Sequence, residues 1–185
     1  SEDLLFRVTP QTYLKMADIH PPYPHWQADK VPPFAGTLIS GGRPASQSSV
    51  SPWATGKTAL DDAQGGVDGH KDGGFGFHTD EQDNPWWMVD LQAIRAIRGV
   101  RLYNRLFPVE CMSRASHVQI TIGDDPGAMH LVYARMDNTP FGGVDGRVLD
   151  VILQPVRHGR FVRISLPGVN TLHLDQVEVY APRSG

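Results

Sequence analysis

Cysteine is nearly missing: Cys111 is the single thiol in 185 residues. That excludes an intrachain disulfide framework, and one thiol supports neither a zinc cluster nor a redox pair. Its neighbour Met112 is apolar, and no histidine or acid is spaced to activate it, so it reads as a partly buried, inert thiol. Basic runs are missing too. The 17 Lys and Arg are dispersed and the net charge is −3, which argues against nucleic acid as a partner. No apolar stretch approaches the roughly 20 residues needed to span a bilayer, so a soluble protein is expected. No signal-peptide pattern opens the chain. Ser1 is not a natural start, so the expectation is a processed chain or an excised fragment, with the compartment unreadable from that end.

The signatures of catalysis are also lacking. No nucleophile sits in a Gly-x-Ser-x-Gly elbow, and no glycine-rich phosphate loop opens a helix. The acid pairs Asp61-Asp62 and Asp124-Asp125 are adjacent residues on turns, where they point apart and read as solvated turn formers. A non-catalytic protein is expected.

What is present is β-structure. Hydrophobic residues make up 40% and charged residues 20%, the range of a globular protein. Gly 19 and Pro 15 approach a fifth of the chain and are scattered between short alternating runs, which favours an all-β sandwich over a helical fold. The spacing predicts strands over 36–40, 45–50, 86–91, 97–104, 117–123, 130–135, 148–154, 160–166 and 172–180. Turn signals such as Gly123-Asp124-Asp125-Pro126-Gly127 and Pro167-Gly168-Val169-Asn170 separate them. In 172–180 the alternation changes phase near Asp175-Gln176, as a bulge does.

Residues 1–35 read as an N-terminal extension or linker: a short strand at Leu4–Val8, a helical turn over Pro10–Met16, then an irregular proline-rich stretch. His20 and His25 lie within it and read as surface or packing residues rather than metal ligands. Residues 36–185 form the predicted sandwich.

The most informative run is His78 to Leu91. A polar loop turns through Asn84-Pro85 into a strand with Trp87, Val89 and Leu91 on one face and Trp86, Met88 and Asp90 on the other. A second strand, 99–105, ends on Arg105. A loop histidine and a strand-end arginine at one rim of a β-scaffold suit a polar ligand better than a reaction. Trp53, in the loop Ser51 to Gly56, is a candidate exposed platform. Trp86 is either a stacking platform or a packing residue under the loop. The run Asp68-Gly69-His70-Lys71-Asp72-Gly73-Gly74 spaces carboxylates among glycines, which suits a hard cation such as calcium or a plain Asp-Gly turn.

Six motifs in order carry a resemblance: Ala45–Ser49, Gly66-Val67-Asp68-Gly69, His78-Thr79 with Asn84 to Leu91, Asn104-Arg105, Arg160–Ile164 and Leu174–Tyr180. Over residues 36–182 the chain resembles the discoidin, or coagulation factor five/eight type C, domain, and is especially similar to the fucose-binding F-type lectins. The resemblance implies a jelly-roll-like, galactose-binding-domain-like antiparallel β-sandwich that binds glycan, or in some members anionic lipid or protein, at one end. Members place a histidine and two arginines around one sugar, the first arginine 27 residues after the histidine; Arg105 stands there relative to His78. The aspartate expected two residues on is Phe107, and the second arginine's position holds Met112, with Arg114 two residues later. By the same resemblance a structural calcium ion would take the Asp68 side chain and main-chain oxygens near Gly65, His70 and Phe75. Gln176 stands where a carboxylate is usual, its amide oxygen a weaker ligand.

The reading is therefore a carbohydrate-binding module, accessory to a larger polypeptide that it tethers to glycan. The alternative is a protein–protein scaffolding domain that has lost the sugar site, favoured by Phe107 and Met112. Membrane lipid ranks last, since Phe107 and Arg105 offer only one apolar–basic pair. Animal members carry disulfides that this chain lacks, so a bacterial protein or a reducing compartment is expected.

Overall fold

Two long strands carry the fold. The computed structural model describes residues 30–142 and 147–184. The strand at Leu4–Val8, the helical turn over Pro10–Met16, His20 and His25 lie outside the described residues. The strands in chain order are β1 (Thr37–Leu38), β2 (Ala45–Gln47), β3 (Phe77–His78), β4 (Gln82–Asp83), β5 (Trp86–Tyr103), β6 (Gln119–Gly123), β7 (His130–Ala134), β8 (Leu149–Ser165), β9 (Val169–Asn170), β10 (His173–Leu174) and β11 (Gln176–Ala181). One short helix, α1 (Ala59–Ala63), follows β2, and 3-10 turns span Gln64–Gly66 and Val109–Ala115.

The alternation in the sequence predicts two strands where β5 runs unbroken, and two more where β8 does. The halves of each pair with different neighbours. Trp86–Asp90 lies between β2 and Phe161–Ser165 of β8, whose far side pairs with β6 and then β7. Gly99–Leu102 lies between β11 and Leu149–Ile152 of β8, with β1 at the edge beyond β11. Between these halves the register slips twice, at Asp90/Arg95 and Ile97/Gly99. Gln92 there takes a positive φ of 66°, the local bend that lets one strand serve two layers. Pro155 of β8 falls in the same gap, where the ladder with β5 has no partner for it.

Between the layers lies the larger of two apolar clusters. Trp87, Val89 and Leu91 from the first half of β5 meet Val100 and Leu102 from the second, with Ile120, Val162, Ile164, Val177 and Val179. Trp87 is fully buried, stacks on Phe77 at 5.3 Å and donates its indole N–H to the Ala63 carbonyl at 2.9 Å. Gly66 passes directly beneath that indole, and an added Cβ would sit 2.9 Å from three of its atoms. Gly66→Ala is therefore expected to cost about 2 kcal/mol in chemical denaturation by overpacking; a cost near zero would mean the indole can shift. The packing reaches back to Phe34, which is buried and stacks on Tyr180 at 4.2 Å.

The phase change at Asp175 is where the chain leaves one sheet for another. β10 pairs with β3, setting His173 opposite His78, whereas β11 pairs with β5. One acid differs from the sequence-based expectation. Asp62 is not solvated but 2% exposed, and its carboxylate accepts from the His78 N–H at 2.7 Å, Gln47 Nε2 at 2.9 Å and the Gly56 N–H at 3.2 Å. Three backbone segments meet on it, which offsets the cost of its burial. Among the described residues no helix is long and apolar enough to cross a membrane.

Candidate functional site

At the β3–β10 end a pocket of about 380 Å³ opens, and His78, Arg105, Arg114 and Trp53 all line it. The volume falls within the usual range for a small-ligand site. Each side chain reaches it for a local reason. His78 ends β3, and its backbone is fixed on both sides: Asp62 accepts from its N–H, and its carbonyl accepts from the Ser51 N–H at 3.0 Å. Arg105 follows the end of β5. Its Nε donates to the Phe107 carbonyl at 2.6 Å and its guanidinium lies 4.8 Å above the Phe75 ring. Phe75 in turn meets His78 edge-on at 5.0 Å, so one aromatic ring braces both polar groups.

Arg114 arrives on the 3-10 turn Val109–Ala115. That turn is tied to the sheet by Asn104, fully buried beside Arg105, whose Nδ2 donates to the Met112 carbonyl at 3.0 Å and the Phe141 carbonyl at 2.9 Å. The Met112 side chain packs with Tyr103 and Leu106. Position 112 thus serves as an anchor, and the second guanidinium is delivered from position 114 instead. Beneath the pocket lies His173, 1% exposed, its ring 4.9 Å from that of His78 and its Nε2 3.4 Å from Arg114 Nη1. A guanidinium only donates, so His173 accepts at Nε2 and holds its proton at Nδ1.

Protonation completes the picture. Burial first, and the charges of Arg105 and Arg114 with it, lower the His78 pKa from 6.5 to about 4. At neutral pH the imidazole is uncharged. Its Nδ1 lies 2.7 Å from the Thr79 carbonyl, which can only accept. The proton therefore sits on Nδ1, and Nε2 keeps a lone pair. Burial also holds the His173 pKa well below its ordinary value. The pocket so combines two cationic forks with a neutral acceptor, walled by Pro52, Trp53, Phe75, Pro108 and Cys111.

Trp86 does not join this group. It pairs with Ser165 in the sheet, and Arg163 lies over its ring at 5.1 Å. Adjacent strand positions face opposite ways, and Trp87 takes the core side. The calcium-loop residues gather elsewhere. Gly65 and Asp68 converge on Gln176, whose Nε2 approaches the Gly65 carbonyl at 2.9 Å and Asp68 Oδ1 at 3.1 Å. The amide nitrogen, not the amide oxygen expected from the sequence, faces those oxygens. His70 donates its backbone N–H to Asp68 Oδ1 at 2.8 Å, and its ring, well exposed, lies 3.3 Å from Asp72. Phe75 lines the first pocket and also a second one together with Gly65, Asp68 and His70. The residues that sequence reasoning missed are Asp62, Phe75 as a ring, His173, and Cys111 as part of the wall.

The F5/8 type C family, in the form described as a NedA-like, galactose-binding domain, matches residues 65–164, more than half of the chain. The chain belongs to this family. A fucolectin of Anguilla anguilla is 31% identical to this F5/8 type C domain over 129 residues, which are 65% of this chain and 77% of the eel protein. Fucolectin-2 of Anguilla japonica is 33% identical over 125 residues, 63% of this chain and 65% of that one. Among solved structures, the f-lectin (fucolectin) from striped bass serum superposes with a TM-score of 0.67 at 28% identity; the match covers 80% of this chain and half, 50%, of the bass chain. The lectin domain of lectinolysin, complexed with Lewis B antigen, gives a TM-score of 0.60 at 28% identity and covers 78% of this chain and 96% of that one. These relatives are named as lectins.

Proposed function

We propose that the pocket binds a terminal sugar of a glycan, with fucose or a similar deoxy sugar as the ligand. The observation that carries this is the convergence of Arg105, Arg114 and the neutral Nε2 of His78 on one small pocket. Neighbouring sugar hydroxyls each donate once and accept twice, so they need both forked donors and an acceptor lone pair nearby. A deoxy or methyl face would rest on the aromatic and proline walls at Trp53 and Pro108. The relatives named fucolectin and the lectin domain complexed with Lewis B antigen support the choice of sugar. The domain further acts as an accessory module, tethering a larger polypeptide to glycan and raising the local concentration of its substrate. Support comes from the lectin domain of lectinolysin, which is by its description one part of a larger protein.

A glycan array tests the sugar, followed by titration calorimetry of the best binder with His78→Ala. Losing one acceptor in a desolvated pocket should raise Kd about tenfold. The pocket also carries its own probe. Cys111 is the chain's single thiol and lines the wall, so alkylation by a maleimide should slow at least threefold when the sugar is bound. An unchanged labelling rate at saturating sugar would place the ligand elsewhere. The competing reading, a protein-docking surface, draws on Phe107 and Val109, 38% and 67% exposed beside the pocket. An array without hits, together with a stable oligomer on sizing, would favour it.

A further inference from the structure

We infer that the side-chain amide of Gln176 stands in this domain in the place of a cation, so that the loop from Gly65 to Gly73 closes without calcium. The inference does not depend on the sugar site. Gln176 is 2% exposed at the start of β11. Its Oε1 accepts from the Gly69 N–H at 2.6 Å, and a backbone N–H can only donate. That contact sets the amide's orientation, because the reverse placement would put an NH₂ against an N–H. Nε2 then faces three oxygens: the Gly65 carbonyl at 2.9 Å, Asp68 Oδ1 at 3.1 Å and the Asp175 carbonyl at 3.2 Å.

Two carbonyls and a carboxylate converging on one point are the kind of oxygen set that coordinates a hard cation. Here an amide NH₂, carrying two protons and a partial positive charge, occupies the point of convergence. Seating a metal would require the amide to leave and its contacts with Gly69, Gly65, Asp68 and the Asp175 carbonyl to break. The charge is also too low. Asp68 supplies the one carboxylate of the ring, while the Asp175 carboxylate turns to the Gly73 N–H at 2.8 Å and Asp72 Oδ1 to the Gly74 N–H at 2.8 Å. Among the described residues no three His, Cys, Asp or Glu side chains are grouped to hold a metal ion. Calcium affinity follows the number of charged ligands, and one carboxylate behind an amide is a poor site. The residues do not fit the ion.

The test is a pair of thermal melts, in EDTA and in millimolar calcium chloride, on the wild-type domain and on Gln176→Glu. The wild type should melt within about 1 °C in both conditions. Gln176→Glu puts a second carboxylate against Asp68; it should melt lower in EDTA and recover roughly 5 °C or more in saturating calcium. Gln176→Met, which removes all four amide contacts without adding charge, should melt lower by the same amount in either buffer. Metal analysis of desalted wild-type protein should find calcium well below one equivalent. A saturable rise of the wild-type melting temperature with calcium, or one bound equivalent, overturns the inference. So does a folded Gln176→Glu that ignores calcium, since the ring would then not be a cation's place at all.

Discussion

Arg105→Ala is expected to weaken saccharide binding by at least about 100-fold in titration calorimetry. The guanidinium rests on Phe75 with Nε spent on the Phe107 carbonyl, so its geometry is set before any ligand arrives. Two charge-assisted bonds to a sugar, at about 1.5 kcal/mol or more each, amount to about 3 kcal/mol, which is that factor in Kd. Arg105→Lys keeps the charge and loses the planar fork, and should fall about tenfold short of wild type. Because Arg105 is only 5% exposed, each variant needs a melting curve to show that it is folded. A folded Arg105→Ala that binds within threefold of wild type would remove this residue from the site and with it the proposed mode of recognition.

Acid should have an effect of similar size. The His78 pKa is about 4 in the fold against 6.5 for a free imidazole, chiefly through burial. Between those two values the unfolded chain binds a proton that the folded chain refuses. Stability is thus fully present above about pH 6.5 and is lost as the pH falls toward 4, by about 3 kcal/mol from this residue alone. His173, shifted in the same direction by its burial, adds to the loss. Urea titrations at pH 7, 5.5 and 4 on wild type and His78→Gln isolate the contribution, since the variant has no imidazole there to charge. Parallel curves for the two proteins would mean that His78 titrates normally and is not held neutral. Sugar affinity should follow the same group, dropping once Nε2 takes up a proton and ceases to accept.

Much of this was legible in the chain itself, and the failures have physical causes. Clean alternation at Val118–Ile122 and Val162–Leu166 marks half-buried strands, because a period of two is what a sheet with one apolar face requires. The phase change at Asp175 was visible for the same reason. The two-residue strands β3, β4 and β9 were not, since two residues have no period. Alternation also says nothing about depth: His173 is sealed beneath the pocket, yet its strand positions look like any others. That His78 and Arg105 share one pocket was legible through the interval between them. Where Arg114 lies is set by the 3-10 turn, which carries it to the pocket while Met112 is tied to Asn104. Trp86 lies outside that pocket with Arg163 over its ring, a contact across strands that linear reading does not see. Asp62 is buried for a similar reason, its partners being the backbone N–H groups of Gly56 and His78 and the Gln47 side chain.

His173, Asp175 and Gln176 follow one another almost without gap, yet the first sits under the ligand pocket and the last closes the loop from Gly65 to Gly73. Anyone building chimaeras from this scaffold inherits that adjacency. A transplant of the 65–78 segment from another member would arrive without its counterpart on the final strand, so the donor's equivalents of 173–176 must travel with it for either end to seat.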